Sequence, residues 1–192
     1  QIGEHSDGLH LLKAAEAFAS LFDEPAYPNV MKLFIKEENF HSSYLGEFMC
    51  YHDLPLRKSN FLDRTFRRLR RRGNILSEVV TLITAEIIAL SYYSALSDAT
   101  ESPALKRICA QMLHDELPHV IFQSYTIGHF KQTRWLKFKR HFLMRATTRA
   151  VWTVYGNVFR AAGWTYDRFR RENIGYLKQS EDIARCISTR LS

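Results

Sequence analysis

The chain contains few of the residues that interrupt helices or cross-link chains. Only 8 of its 192 residues are glycine and 5 are proline, which argues against the turn-rich architecture of β-sheet proteins. Its 3 cysteines, Cys50, Cys109 and Cys186, are odd in number and far apart. We therefore expect buried free thiols in a reducing cytoplasm rather than a framework of disulfide bonds.

Long uncharged apolar segments are also missing. The most apolar run, residues 79–90, is interrupted by Glu86, so we expect no transmembrane segment. No N-terminal signal peptide is visible. What the chain does contain is 46% hydrophobic and 13% aromatic residues. This composition, together with the length, predicts one globular body with a substantial core.

Two copies of one short pattern indicate a metal site. Glu38 is followed three residues later by His41, and Glu116 is followed three residues later by His119. On an α-helix such residues lie on the same face, so each pair directs a carboxylate and an imidazole to one place. Glu86 lies on an otherwise apolar helix, where an ionised carboxylate is costly to bury without a partner. A bound cation would supply that partner.

Each pair has a further glutamate upstream, which completes the ligand set of a dinuclear site in a four-helix bundle. Glu86 precedes Glu116 by 30 residues, and Glu4 precedes Glu38 by 34 residues. Reflecting Glu38 through the first turn, however, favours Glu16 as the facing residue. Glu4 continues an apolar stripe of the first helix, so we take it as the ligand and keep Glu16 as the alternative.

The pattern of apolar residues and turn signals predicts an all-α chain. If the two halves are related by a two-fold axis, the second and third helices run parallel, so a long crossover must return the chain along the bundle. The predicted helices span residues 2–22, 27–53, 76–97 and 103–128, with the crossover at 54–75 and further helices within 132–163 and 165–190.

The paired motifs resemble those of the ferritin-like di-iron carboxylate superfamily, which includes the rubrerythrins and ferritins. The pattern of that family is Glu followed by Glu-x-x-His, repeated once. The sequence around both motifs is most similar to bacterial ferritin-like domain proteins near rubrerythrin. The resemblance covers residues 1–130 and implies a ferritin-like four-helix bundle, with residues 131–192 as a basic helical extension packed on it. The matching residues are Glu4, Glu38, His41, Glu86, Glu116 and His119.

The resemblance implies two iron ions as cofactors, with manganese as the alternative at one or both positions. Carboxylates with two imidazoles suit these metals better than zinc. Glu38 and Glu116 would bridge the ions, while Glu4 and Glu86 would each bind one ion, as would each histidine. The chain departs from rubrerythrin in having no Cys-x-x-Cys pair, and from a regular ligand helix in having Pro118 between two ligands.

Three residues near the predicted ligands each have two possible roles. Glu37 and Asp115 are either acceptors for the histidine N–H groups or surface charges. Tyr93 is either an oxidisable neighbour of the metals or a packing residue. We expect His52, His114 and His129 to be surface residues rather than ligands.

The net charge of +7 is concentrated outside the metal motifs. Five arginines lie within residues 67–72, and residues 131–192 hold 14 basic against 4 acidic residues. Such a surface suits nucleic acid, anionic lipid or a partner protein, although a solvated face is the simpler interpretation. The aromatic side of the helix from Trp135 to Trp152 is predicted to pack on the bundle or on a second copy in a homodimer.

Three functions follow from these features. The first is a di-iron oxidoreductase that uses O2 or peroxide on a small organic substrate. The second is peroxide removal or iron oxidation, as in rubrerythrins and ferritins. The third is a nucleic-acid-binding or tRNA-modifying di-iron protein. We favour the first, because the chain lacks electron-transfer cysteines and carries a bulky C-terminal extension.

Overall fold

The computed structural model describes residues 2–55 and 74–191, with side chains described from residue 10 onward. This part of the chain folds into six helices and contains no strand, which confirms the all-α prediction. The arginines at 67–72 and most of the predicted crossover lie outside the described residues. The helices are α1 (Ile2–Phe22), α2 (Tyr27–Tyr51), α3 (Ile75–Ala99), α4 (Pro103–Gly128), α5 (Arg134–Ala161) and α6 (Tyr166–Leu191).

Polar side chains begin three of these helices in the way the turn signals predict. Asn74 accepts a hydrogen bond from the amide of Ser77 at the start of α3, and Thr133 accepts one from the amide of Leu136 at the start of α5. Ser102 does the same at the start of α4. Each cap satisfies an amide that has no partner within its own helix.

Contacts between helices fix their directions. Tyr27 hydrogen-bonds to Thr126 over 2.8 Å, and His41 lies 3.1 Å from Asp115. Residue numbers therefore rise along α2 as they fall along α4, so these two helices are antiparallel. Residues 100–102 join α3 to α4 in a short connection, which makes that pair antiparallel as well. It follows that α2 and α3 are parallel.

Two groups of apolar side chains hold the helices together. In the smaller one, Phe18 of α1 packs on Tyr27 of α2 with ring centroids 4.1 Å apart, and Leu82 joins α3 to this group. In the larger one, α3 and α4 share a core with α5 and α6. Helix α3 is thus the central element, in contact with α1, α4, α5 and α6.

The apolar character of α3 follows from this central position. By length and composition it is the one helix of the described chain that is apolar enough to cross a membrane, even though Glu86 interrupts its apolar run. The mean hydropathy of its most apolar stretch is 1.7, and 67% of that stretch is buried inside the protein. A core helix surrounded by other helices meets the same criteria, so this property is weak evidence for a membrane span.

The aromatic side of α5 packs on the bundle at Trp152 but not at its other three aromatic residues, so that alternative is wrong for most of this side. Trp135, Phe138 and Phe142 are 71%, 58% and 64% exposed and stack on one another. The opposite face of the helix, with Leu136 and Met144, enters the core. Hydrophobicity alone cannot assign the buried face when both faces of a helix carry apolar residues. Packing on a second copy of the chain stays a prediction.

The cysteines are free, as predicted, but only one is buried. Cys109 is completely enclosed in α4, whereas Cys50 and Cys186 are exposed. The expectation of buried thiols is therefore wrong for two of the three. Pro118 lies on the exposed side of α4, which continues through it.

Gly128 allows α4 and α6 to approach closely. A Cβ atom at this position would lie 2.6 Å from Cβ of Ile187 and 2.9 Å from the carbonyl oxygen of Ala184. We expect Gly128→Ala to lower the free energy of unfolding by about 1–3 kcal/mol, because neither neighbour is a flexible chain end. Gly175→Ala, whose Cβ meets nothing within 4 Å, should raise it by about 0.5–1 kcal/mol. Urea unfolding of both variants measures the difference, and equal stabilities would contradict the close approach.

Candidate metal centre

Three helices bring the two motifs together. Helix α2 supplies Glu38 and His41, α3 supplies Glu86, and α4 supplies Glu116 and His119. Ligand atoms of Glu38, Glu86, Glu116 and His119 all lie within 4.8 Å of one another. The side chain of Glu38 is 41% exposed, while the other four residues are buried. The five residues therefore form one cluster that reaches solvent on the Glu38 side.

The Nδ1 atoms of both histidines face the carboxylates. Oε1 of Glu116 lies 3.6 Å from Nδ1 of His41, and Oε2 of Glu116 lies 3.5 Å from Nδ1 of His119. Oε1 of Glu38 lies 3.4 Å from the first of these nitrogens and 3.5 Å from the second. The imidazole centroids are 5.9 Å apart. Glu38 and Glu116 are thus placed between two separate imidazoles.

Glu86 belongs to the His119 half of the cluster. Its Oε2 lies 3.8 Å from Nδ1 of His119, and its Oε1 accepts a hydrogen bond of 3.1 Å from Nε2 of Gln123. Gln123 is not part of the two sequence motifs. Its position seven residues after Glu116, on the same face of α4, is the signal that could have indicated it.

The outer nitrogen of each histidine contacts a carboxylate on the other motif helix. Nε2 of His41 lies 3.1 Å from Asp115 on α4, and Nε2 of His119 lies 2.8 Å from Glu37 on α2. An Nε2–H group that donates to a carboxylate leaves Nδ1 free to face the cluster with its lone pair. The interpretation of Glu37 and Asp115 as acceptors is therefore confirmed, with each acceptor crossing to the opposite helix.

Burial and mutual charge perturb the carboxyl groups strongly. Burial, followed by the charge of Glu86, raises the pKa of Glu116 to about 11. Burial also raises the pKa of Glu38 above its usual range. Burial alone would raise the pKa of Glu86, but its interactions with Glu116 and His119 outweigh burial and lower that pKa. The pKa values of Glu116 and Glu86 are therefore shifted in opposite directions.

The imidazoles respond to the same negative charge. Burial by itself lowers the pKa of His119, but its interactions with Glu116 and Glu86 outweigh this and raise the pKa to about 11. The pKa of His41 is also raised, because hydrogen bonds to Glu38 and Asp115 outweigh burial. Protons therefore supply positive charge at the place where a cation would supply it.

Unpartnered atoms show that the donors fit a metal. Oε1 of Glu38, Oε2 of Glu116 and Nδ1 of His119 are buried without a hydrogen-bond partner among the described residues. Folded proteins rarely leave such atoms unsatisfied. Separations of 3.4 to 3.8 Å between these nitrogens and oxygens are too long for good hydrogen bonds. They suit ligands at about 2.0–2.2 Å around a shared cation.

The candidates on α1 differ in what the structure describes. Glu16 is exposed to solvent, away from the buried stripe of Leu11, Ala15 and Phe18. The side chain of Glu4 lies outside the described residues. Glu16 is not among the residues whose ligand atoms come together in the cluster, which leaves Glu4 as the α1 candidate.

Of the three histidines predicted to lie at the surface, two are exposed and one has a buried side chain. His52 and His114 are exposed, as predicted. The prediction for His129 is wrong, because its side chain is only 2% exposed. Its Nδ1 lies 3.1 Å from the carbonyl oxygen of Tyr125, and its Nε2 lies 3.3 Å from Glu24. The turn between α1 and α2 covers it, which local sequence at residue 129 does not indicate.

Tyr93 lies close enough to the cluster for the charges of the cluster to change its pKa. Burial raises the pKa of its phenol well above the usual range, and the carboxylates of Glu116 and Glu38 raise it further. The hydroxyl therefore stays protonated at neutral pH. Both readings of Tyr93, as an oxidisable neighbour or as a packing residue, are compatible with this position.

The fold and the site together define a helical bundle with a buried carboxylate–histidine cluster that could hold metal. Comparisons with models of protein families, with curated proteins and with solved structures find no match to this chain.

Proposed function

We propose that this chain is a ferritin-like dinuclear metal protein, with two iron ions as cofactors, that uses O2 or peroxide to oxidise a small organic substrate. One observation carries the proposal. The two oxygens of Glu116 face different imidazoles, at 3.6 and 3.5 Å. A carboxylate in that position can bridge two cations, and a mononuclear site would not need it.

The arrangement of ligands supports two ions rather than one. Glu38 contacts both imidazoles, as Glu116 does. Dinuclear sites hold their ions about 3.5–4 Å apart, which fits between imidazole centroids separated by 5.9 Å. Glu38 and Glu116 would bridge the ions, Glu86 and His119 would bind one, and His41 would bind the other.

The direction of α1 supports Glu4 as the remaining ligand. His10 contacts Glu78 on α3 at 3.1 Å, about two helical turns before Glu86. Because α1 and α3 are antiparallel, the part of α1 that faces Glu86 lies about two helical turns before His10. Glu4 lies in that region, on the stripe that continues through Leu11, and it would bind the ion held by His41.

The parallel course of α2 and α3 supports the ferritin-like topology. A simple up-and-down bundle would make these consecutive helices antiparallel. The end of α2 at Tyr51 and the start of α3 at Ile75 therefore lie at opposite ends of the bundle. This agrees with the long crossover that the repeated motif predicts.

Carboxylates and imidazoles favour iron or manganese over zinc, and two ferrous ions would supply electrons for reducing O2 or peroxide. The residues of the chain have separate tasks. Asp115 and Glu37 orient the imidazoles, Gln123 orients Glu86, and the exposed edge at Glu38 gives a small molecule access. A protonated phenol at Tyr93 could hold a proton or hydrogen bond beside the reacting atoms.

Iron loading tests the proposal directly. We expect the protein to bind two Fe²⁺ per chain under anaerobic conditions, and exposure to O2 to produce a near-ultraviolet absorption from an oxo-bridged pair. Binding of a single ion, or of none, would refute the dinuclear site. Rapid catalytic turnover of excess Fe²⁺ or peroxide would favour the ferritin-like or rubrerythrin-like alternative. Salt-dependent RNA binding would favour the third.

The same titration identifies the ligand from α1. We expect Glu4→Gln to retain one ion and lose tight binding of the second, whereas Glu16→Gln should still bind two. The pair is matched, because both changes remove one charge from the same helix. Loss of the second ion in Glu16→Gln alone would reverse the assignment.

A further inference from the structure

A second buried charge lies outside the metal cluster. Arg140 on α5 is 2% exposed and is the largest fully buried side chain of the described residues. Within the part of the chain that the structure describes, its only hydrogen bond is from one terminal nitrogen to Oγ of Ser180, over 2.6 Å, and its Nε has no partner. Burial lowers its pKa to about 10, which the charge of Glu181 partly opposes. A buried guanidinium normally has a bonded anion.

Arg140 lines a cavity between the start of α5 and the second half of α6. The cavity measures about 430 Å³, within the usual size range of sites for small molecules. Four further cationic side chains line it, and its walls contain the first turn of α5, where backbone amides lack acceptors within the helix. Those side chains are Arg134, Lys137, Lys178 and Arg185.

Two carboxylates also line the cavity, but each already has a cationic partner. Glu181 lies 3.0 Å from Nε2 of His141 and 3.8 Å from Nζ of Lys137. Asp182 pairs with Arg185 one turn later on α6. No carboxylate of the described residues lies within ion-pair distance of Arg140. The cavity therefore has more cationic than anionic side chains, and the carboxylates of Glu181 and Asp182 are its anionic acceptors.

We propose that this cavity binds a small phosphate monoester, with the phosphate on Arg140 and the hydroxyl groups of its organic part on Glu181 and Asp182. A phosphate offers several acceptor oxygens to donors that converge from two helices, which a single carboxylate does not. The cavity is also larger than one phosphate group requires. Ser180 holds one edge of the guanidinium, so its Nε–H remains for the ligand.

The resonance of the Arg140 Nε–H group provides a direct test. We expect it to shift on titration of the protein with ribose phosphate or glycerol phosphate, and to shift less with inorganic phosphate or succinate. Ribose phosphate represents a free sugar phosphate, and glycerol phosphate represents a lipid headgroup, so the tighter of the two identifies the source. Equal effects of phosphate, succinate and chloride would overturn the proposal.

Matched variants separate the cavity from the general basic surface. Arg140→Met should weaken binding of the tighter phosphate ester about tenfold or more, and Arg145→Met, an exposed change on the same helix outside the cavity, should not. Lys178→Met keeps the test valid if Arg140→Met fails to fold, because Lys178 is exposed, and it should weaken binding severalfold. Unchanged affinity in Lys178→Met, or equal losses in Arg145→Met, would refute the site.

Discussion

Glu86→Gln is expected to abolish tight binding of one metal ion and also to destabilise the metal-free protein. Glu86 is 4% exposed and shares a small volume with Glu38 and Glu116. With metal present, its carboxylate is a ligand and loss of the charge should weaken binding of that ion by about a hundredfold or more. Without metal, the same charge is buried beside two other carboxyl groups. Its interactions with Glu116 and His119 nevertheless outweigh burial and favour the ionised form, so its removal should lower the free energy of unfolding by about 1–2 kcal/mol.

Two measurements on one pair of proteins check this expectation. Chelator-treated Glu86→Gln should melt about 3–6 °C below the parent protein, and an anaerobic Fe²⁺ titration should show one tight ion instead of two. Glu101→Gln removes the same charge from an exposed position and should change neither quantity. A variant that melts higher than the parent without metal would contradict this expectation, because it would show that the buried charge of Glu86 is not compensated in the metal-free fold.

The metal-free protein is expected to lose stability as pH rises, and Mn²⁺ should remove that loss. The pKa of Glu116 is raised from 4.5 to about 11, and the pKa of His119 is raised from 6.5 to about 11. Between the lower and upper values the folded state binds more protons than the unfolded chain. The free energy of unfolding therefore falls as pH increases through this window. The lowered pKa values of Glu86 and Asp115 act in the opposite direction, at acidic pH outside it.

Thermal unfolding between about pH 6.5 and 9 measures this effect, since His119 has an ordinary pKa of about 6.5 in the unfolded chain. We expect the melting temperature of chelator-treated protein to fall by about 5 °C or more across this range. Glu116→Gln should reduce the fall, because it removes one of the titrating groups. Affinity for Mn²⁺ should rise with pH as the ion displaces protons from the ligands. An affinity that did not depend on pH would show that metal and protons do not compete for these atoms.

Much of the fold and of the candidate site could be predicted from residues that lie close together in the chain. The observed helix bounds lie within two residues of the predicted ones, because capping residues and turn signals such as Asn74 and Pro103 act locally. Glu38 and His41, and likewise Glu116 and His119, share a helix face by spacing alone. The apolar surroundings of Glu86 then indicated that it would be buried.

Other features depend on which helix faces meet, and spacing within one helix carries no information about that. Phe138 and Leu136 are both apolar neighbours on α5, yet one is exposed and the other lies in the core. The local sequence of His129 predicts a surface residue, but the turn that contains Glu24 covers it. The choice between Glu4 and Glu16 required the direction of α1 against α3.

Sequence determined the helices, the pairing of carboxylate with imidazole on each of two helices and the buried glutamate between them, because each depends on residues within a few turns. Packing determined the exchange of acceptors between His41 and His119, the placement of Glu116 between both rings and the enclosure of Arg140. These contacts join residues as much as 82 positions apart. They arise only when hydrophobic burial brings separate helices together, and the side chains at the contact then settle which atoms meet.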